Sequence, residues 1–183
     1  MSWTAPKTWV NDEPLTAADL NAQVSNNVDY LSQLLNSYTL LRDEKTGGVN
    51  GGTFTAGGWR TRDINVKIGD AMGNVTLGSN QFTLAAGTYF LHASAPAAAV
   101  DRHKINLYNL TDNYAFRVGD NAYASSVYDA QTNARLSTFL TITAPKVIEL
   151  QHYAQTTCAT YGFGRTVAYG TEVYTSIEIW RLK

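Results

Sequence analysis

The spacing of apolar residues changes once along the chain. Between Leu20 and Leu41 they recur at steps of four and three: Leu20, Val24, Asn27, Leu31, Leu34, Tyr38 and Leu41. This is a heptad seam with one Asn among its members, and it predicts a helix over 16–46. Thr16 suits the N-cap, Asp19 stands where the acidic member of a capping box belongs, and Leu15 and Leu20 have the spacing of a hydrophobic staple. Val28 and Leu35 widen the stripe. Two packings therefore fit: a coiled coil between copies of the chain, or one amphipathic helix lying on a globular body. Asn27 favours the coiled coil, because a polar residue in such a seam fixes register.

From residue 59 to 183 the period becomes two. Short alternating runs at 59–68, 74–77, 80–84, 87–95, 103–109, 113–118, 134–143, 146–154 and 171–182 are separated by turn-rich stretches such as "NLTDN" and "VGDNAYASSVYDAQTN". Eight or nine short strands with no helical pattern predict a jelly roll or β-sandwich. The last run, "EVYTSIEIW", places Val173, Thr175, Ile177 and Ile179 on one side and Tyr174, Glu178 and Trp180 on the other. Between the two regimes, "GGVNGGTFTAGG" reads as a flexible connection over 47–58. It lacks the G-K-[ST] of a phosphate loop. Ahead of the helix, residues 1–15 have neither period. Trp3 and Trp9 flank Pro6 there, a set suited to anchoring in another protein, or else folded back on the helix that follows.

Composition narrows the function. Fourteen basic and fifteen acidic residues give a net charge of −1, which provides no electrostatic footprint for nucleic acid and no polybasic patch for a membrane. No apolar run is long enough to span a bilayer, and no basic-then-apolar leader begins the sequence, so synthesis and assembly in a cytoplasm are expected. Cys158 is the only cysteine, which excludes an intrachain disulfide. His92, His103 and His152 lack metal-ligand spacing, and no nucleophile sits beside a base in sequence. No cofactor, metal or catalytic residue is therefore assigned. The loops instead hold Tyr123 and Tyr128, then Tyr161, Phe163 and Tyr169, among Gly, Ser, Thr and Asn. Such stretches suit a binding surface, although the same rings could cap the ends of a sandwich.

Two stretches carry a family resemblance. "GTYFLHASAPAAAVDRHKINLYNLTD", followed by "FLTITAPKVIELQHYAQTT" and "GFGRTVAYGTEVYTSIEIW", resembles the C-terminal head of tailed-bacteriophage structural proteins, related in shape to the C1q and tumour-necrosis-factor jelly roll. "SWTAPKTWVNDEPLTAADLNAQVSNNVDYL" is similar to a Trp-x-x-Pro-x-x-Trp opening common in phage virion proteins. The resemblance implies a mainly β homotrimer with a C1q/TNF-like head, a helix that trimerises, and an N-terminus docked on another virion protein of capsid, collar or tail. It implies a non-enzymatic head fibre, spike or tail-tip component in the virion, with a host surface glycan as a candidate partner. A capsid decoration or tail connector, and a polysaccharide-degrading spike, are the alternatives. It also implies that Tyr174 faces the threefold axis; Glu178, on the same face, departs from the apolar residue expected there and needs a cationic partner or a place toward an open end.

Overall fold

A computed structural model describes residues 3–182; residues 1, 2 and 183 and the side chain of Leu34 lie outside the described residues. Two antiparallel sheets form the body. The first has strand order β10-β6-β12-β1-β3, and the second β4-β5-β11-β7-β8, with β2 pairing β11 and β9 pairing β7. The strands are β1 (Tyr38–Lys45), β2 (Arg60–Thr61), β3 (Val66–Gly69), β4 (Val75–Gly78), β5 (Gln81–Leu84), β6 (Gly87–Ala98), β7 (Asp101–Asn109), β8 (Tyr114–Val118), β9 (Ala122–Ala124), β10 (Gln131–Ile142), β11 (Lys146–Ala154) and β12 (Glu172–Arg181). The core lies between the sheets. Leu41, Leu91, Leu136, Ile177 and Ile179 come from the first, and Phe82, Leu84, Ile105, Leu107, Ile148 and Leu150 from the second. Strand alternation supplies this layer, since every second residue of each strand turns inward.

The helix is shorter than its heptads predict. It runs as α1 (Ala17–Leu20), a π turn (Asn21–Ser25) and α2 (Asn26–Leu35). The capping box forms as its sequence requires: Thr16 Oγ1 accepts from the Asp19 amide at 3.1 Å, and Asp19 accepts from the Thr16 amide at 3.3 Å. Tyr38 and Leu41 do not continue it. They belong to β1, which is hydrogen-bonded between β12 and β3. Thr39, Leu41 and Asp43 are buried, and Leu41 is in the main core. "YTLLRDEK" satisfies a period of two as well as the heptad, and the open slot beside β12 decides between them: tertiary pairing overrides a local helical pattern.

The glycine-rich stretch is likewise not a free linker. Phe54 is fully buried and bridges to Cys158, the Gly51 amide donates to Gly164 O at 2.8 Å, and Phe163 N donates to Gly52 O at 3.0 Å. At Gly51 a Cβ would fall 2.7 Å from the Phe163 backbone. Here glycine permits close backbone approach rather than motion. The boundary between helix and body falls at Asn36 and Ser37 instead.

One end of the sandwich is closed by a buried arginine. The Arg62 guanidinium donates to Thr175 Oγ1 at 3.1 Å, Pro96 O at 3.2 Å, Phe163 O at 2.9 Å and Tyr174 O at 3.4 Å, and lies over the Phe163 ring at 4.4 Å. Burial pulls it down to about 10, so it stays charged at neutral pH. Beside it, His103 Nδ1 and His152 Nε2 stand 2.9 Å apart, and His103 Nε2 pairs with Thr132 Oγ1 at 2.9 Å. Burial, then the Arg62 charge, lowers His103 to about 4 and His152 well below the ordinary histidine value. Both rings are neutral at pH 7.

Candidate interaction surfaces

The face of the first sheet turned away from the core carries side chains in register across four strands. Tyr38 pairs with Trp180, Trp180 with Phe90 and Phe90 with Phe139. Their ring centroids follow at 5.1, 5.6 and 5.1 Å, which makes a continuous aromatic row. Phe139, at the sheet edge, is 70% exposed. The next row is Leu40, Glu178, His92 and Ser137, with His92 Nδ1 and Ser137 Oγ 2.9 Å apart. The third is Arg42, Ser176, Ser94 and Arg135. Burial, reinforced by the Glu178 carboxylate, raises the Tyr38 phenol above its ordinary value. An apolar band followed by a polar and then a cationic one is a patterned surface, unlike scattered exposed rings.

Tyr174 is not part of it. The pairing of β1 with β12 shifts register between Asp43 and Glu44, leaving Tyr174 as the extra residue of a bulge. The bulge reverses the alternation beyond it. Val173 is exposed, whereas Glu172 and Tyr174 turn inward, Tyr174 being 3% exposed with its hydroxyl on Val49 O at 2.8 Å. The Tyr174 carbonyl, unpaired by the bulge, is taken up by Arg62. Glu172 accepts from the Thr166 hydroxyl and from the amides of Val167, Gly48 and Ala168, which lowers it to about 2 and pins two loops together. Glu178 does lie on the outward face, where the alternation predicts it.

The N-terminal segment folds back along the helix. Thr4 N donates to Asn27 Oδ1 at 2.9 Å and Asn27 Nδ2 returns to Thr4 O at 3.1 Å, while the Lys7 amide donates to Gln23 Oε1 at 2.9 Å. Trp3 meets Tyr30 at 6.1 Å, and the Lys7 ammonium stands 4.4 Å from the Trp9 ring. Within one chain Asn27 thus holds this strap and is buried by it, which removes it from the seam. Trp3 and Trp9 remain 48% and 43% exposed. Leu20, Val24, Val28, Leu31 and Leu35 form an uncovered apolar stripe beside the strap.

The aromatic loop residues separate into two groups. Phe163 packs against Phe54 and beneath Arg62, and Tyr161 lies under the Arg165 guanidinium at 4.2 Å, both against the smaller buried cluster at the closed end. Phe163 is therefore structural rather than a contact residue. Tyr123, Tyr128 and Tyr169 are 57%, 86% and 88% exposed. Among the described residues no three His, Cys, Asp or Glu side chains are grouped to hold a metal, and no helix is long and apolar enough to cross a membrane. Cys158 is buried, and burial pushes its thiol up.

Sheet order, two-layer packing and paired terminal strands β1 and β12 define a C1q/TNF-like jelly roll. The chain is similar to Eiger TNF from S. frugiperda (TM-score 0.51, 9% identity, 80% of this chain and 92% of that one) and to murine APRIL at pH 5.0 (0.50, 10%, 80% and 98%). It is also similar to the globular domain of the zebrafish complement 1qA protein (0.49, 11%, 80% and 96%). At such identities the likeness is one of fold. No protein-family model matches the chain, and no curated protein does.

Proposed function

We propose that the chain is a non-enzymatic structural protein of a tailed-phage virion, a homotrimeric head on a short helical stem. The observation that supports this reading best is the aromatic row Tyr38, Trp180, Phe90 and Phe139 on the outward face of the sheet holding both terminal strands. Within one chain Phe139 gains only its tilted ring contact with Phe90 and stays mostly in water, whereas three copies packing around an axis bury it. Glu178, one row away, then meets Arg135 of a neighbouring copy, an exposed cation with no carboxylate partner among the described residues. This supplies the cation that a carboxylate needs near such an axis.

Trp3, Pro6 and Trp9 dock the trimer on another virion protein. The stripe Leu20, Val24, Val28, Leu31 and Leu35 packs between copies or on that partner. Tyr123, Tyr128 and Tyr169 are the residues placed to contact a host surface glycan. The phage assignment draws on the N-terminal resemblance and on the half-exposed indoles. Replacing Trp3 and Trp9 with Ala should leave circular dichroism and mass unchanged while the protein no longer co-sediments with assembling particles. Undiminished incorporation would remove the anchoring role.

A further inference from the structure

A second built surface lies on the other sheet, away from the aromatic row. Strands β11, β7 and β9 line a cleft of about 880 Å³, within the range of about 300–1,000 Å³ usual for small-ligand sites. Their antiparallel register sets six side chains in two rows. Tyr153 is paired with Lys104, and Asn121 adjoins Lys104 where the β7-β9 pairing runs out. In the second row Gln155, whose amide donates to Arg102 O at 2.9 Å, precedes Arg102, which is paired with Tyr123. One row therefore reads aromatic, cation, amide, and the other amide, cation, aromatic. Outside the lining, Trp59 meets Tyr153 edge-on at 5.7 Å and supports its ring, and Gly57 also lines the cleft.

The charges decide what fits. No residue lining the cleft is acidic. Among the described residues Lys104 and Arg102 make no ion pair, and the Arg102 guanidinium has a long 3.5 Å contact with Gln155. The nearest carboxylate in sequence, Asp101, is occupied by the Thr156, Ser126 and Tyr123 hydroxyls. Two unneutralised cations between aromatic rings and side-chain amides match a ligand with an apolar ring face, hydroxyls and a carboxylate. We infer that this cleft binds an acidic oligosaccharide: Tyr153 and Tyr123 stack on sugar rings, Lys104 and Arg102 take the carboxylates, and Asn121 and Gln155 read hydroxyls. A single-stranded nucleic acid would also stack and pair with cations, but it needs a longer basic track than two side chains on a chain of net charge −1.

The inference rests on the glycan-attachment reading and deepens it: the cleft is the subsite for acidic sugars, and it shares Tyr123 with the exposed loop tyrosines. Its test uses purified full-length protein and calorimetry with trisaccharides of galacturonic acid and of sialic acid, each beside its carboxyl-reduced counterpart, and a thymidine oligonucleotide. At least one acidic trisaccharide should bind tenfold or more tighter than its reduced form, and the difference should shrink as salt rises. Lys104→Gln and Arg102→Gln should each weaken it about tenfold, equivalent to about 1.4 kcal/mol, with circular dichroism and mass unchanged. Equal binding of acidic and reduced sugars, binding that survives the double Gln variant, or tighter binding of the oligonucleotide would overturn the inference. None of these readings depends on Trp3 or Trp9, so loss of particle incorporation and loss of sugar binding are separable failures.

Discussion

The jelly-roll body and the helical stem use the same kinds of apolar residue to opposite effect. In the body, Leu41 and Ile177 are fully buried between two sheets of one chain. In the stem, Leu31 and Val24 are 47% and 54% exposed, and no strand packs broadly on the helix among the described residues. The body's apolar residues are covered within the chain, whereas the stem's apolar stripe is left uncovered by it. A short helix with an uncovered stripe is marginal alone, so its order should depend on assembly in a way that the sandwich does not.

That contrast can be broken by substitution. Arg62→Ala should have the largest effect, destabilising the body by about 3–5 kcal/mol in urea unfolding, because it strips the Thr175 hydroxyl and the carbonyls of Pro96, Phe163 and Tyr174 of their buried partner. Leu41→Ala should cost about 2–5 kcal/mol. Leu31→Ala should leave the body's urea midpoint unmoved, and a matching loss there would mean that the helix belongs to the same cooperative unit.

Acid should separate the regions as well. His103 and His152 are neutral in the fold but charge near pH 6.5 when unfolded, so the unfolded chain binds more protons as pH falls. Their contribution is complete above about pH 6.5 and is lost as pH falls below it, for His103 down to its folded value of about 4, with a limiting slope of about 1.4 kcal/mol per pH unit for each ring. Thermal melts of the body between pH 7 and 4.5 should show this slope, and His103→Gln should flatten it. Asn27→Ala, the mildest change, should release the strap at a cost of about 1 kcal/mol, seen as faster amide exchange at Thr4 and Lys7 with none in the strands.

Much of the body was legible in the sequence. The strands over 80–84, 103–109, 146–154 and 171–182 lie where alternation placed them, because half-buried strands print their pleat directly onto the chain. Three features were not legible. β1 hid inside a heptad, since Tyr38 and Leu41 satisfy both periods and only the vacancy beside β12 chooses. Tyr174 was misplaced because a one-residue bulge reverses every residue beyond it, and nothing local announces a bulge whose carbonyl is satisfied by an arginine over a hundred residues away. Phe90 and Phe139 were missed as a surface because a strand's outward face looks the same as its inward one until the register of its neighbours is known. Trp180 was the one visible signal, a large ring on the face opposite Ile177 and Ile179.

The measurement that bears most directly on the assembled head is its mass at micromolar concentration by mass photometry or light scattering. Wild-type protein should give about three times the 20.0 kDa chain mass, and Phe139→Glu, which places a carboxylate in the exposed end of the aromatic row, should reduce it to a folded single chain. A wild-type protein that runs as a clean monomer, or a Phe139→Glu variant that keeps the full mass, would contradict the assignment of this face as the subunit interface.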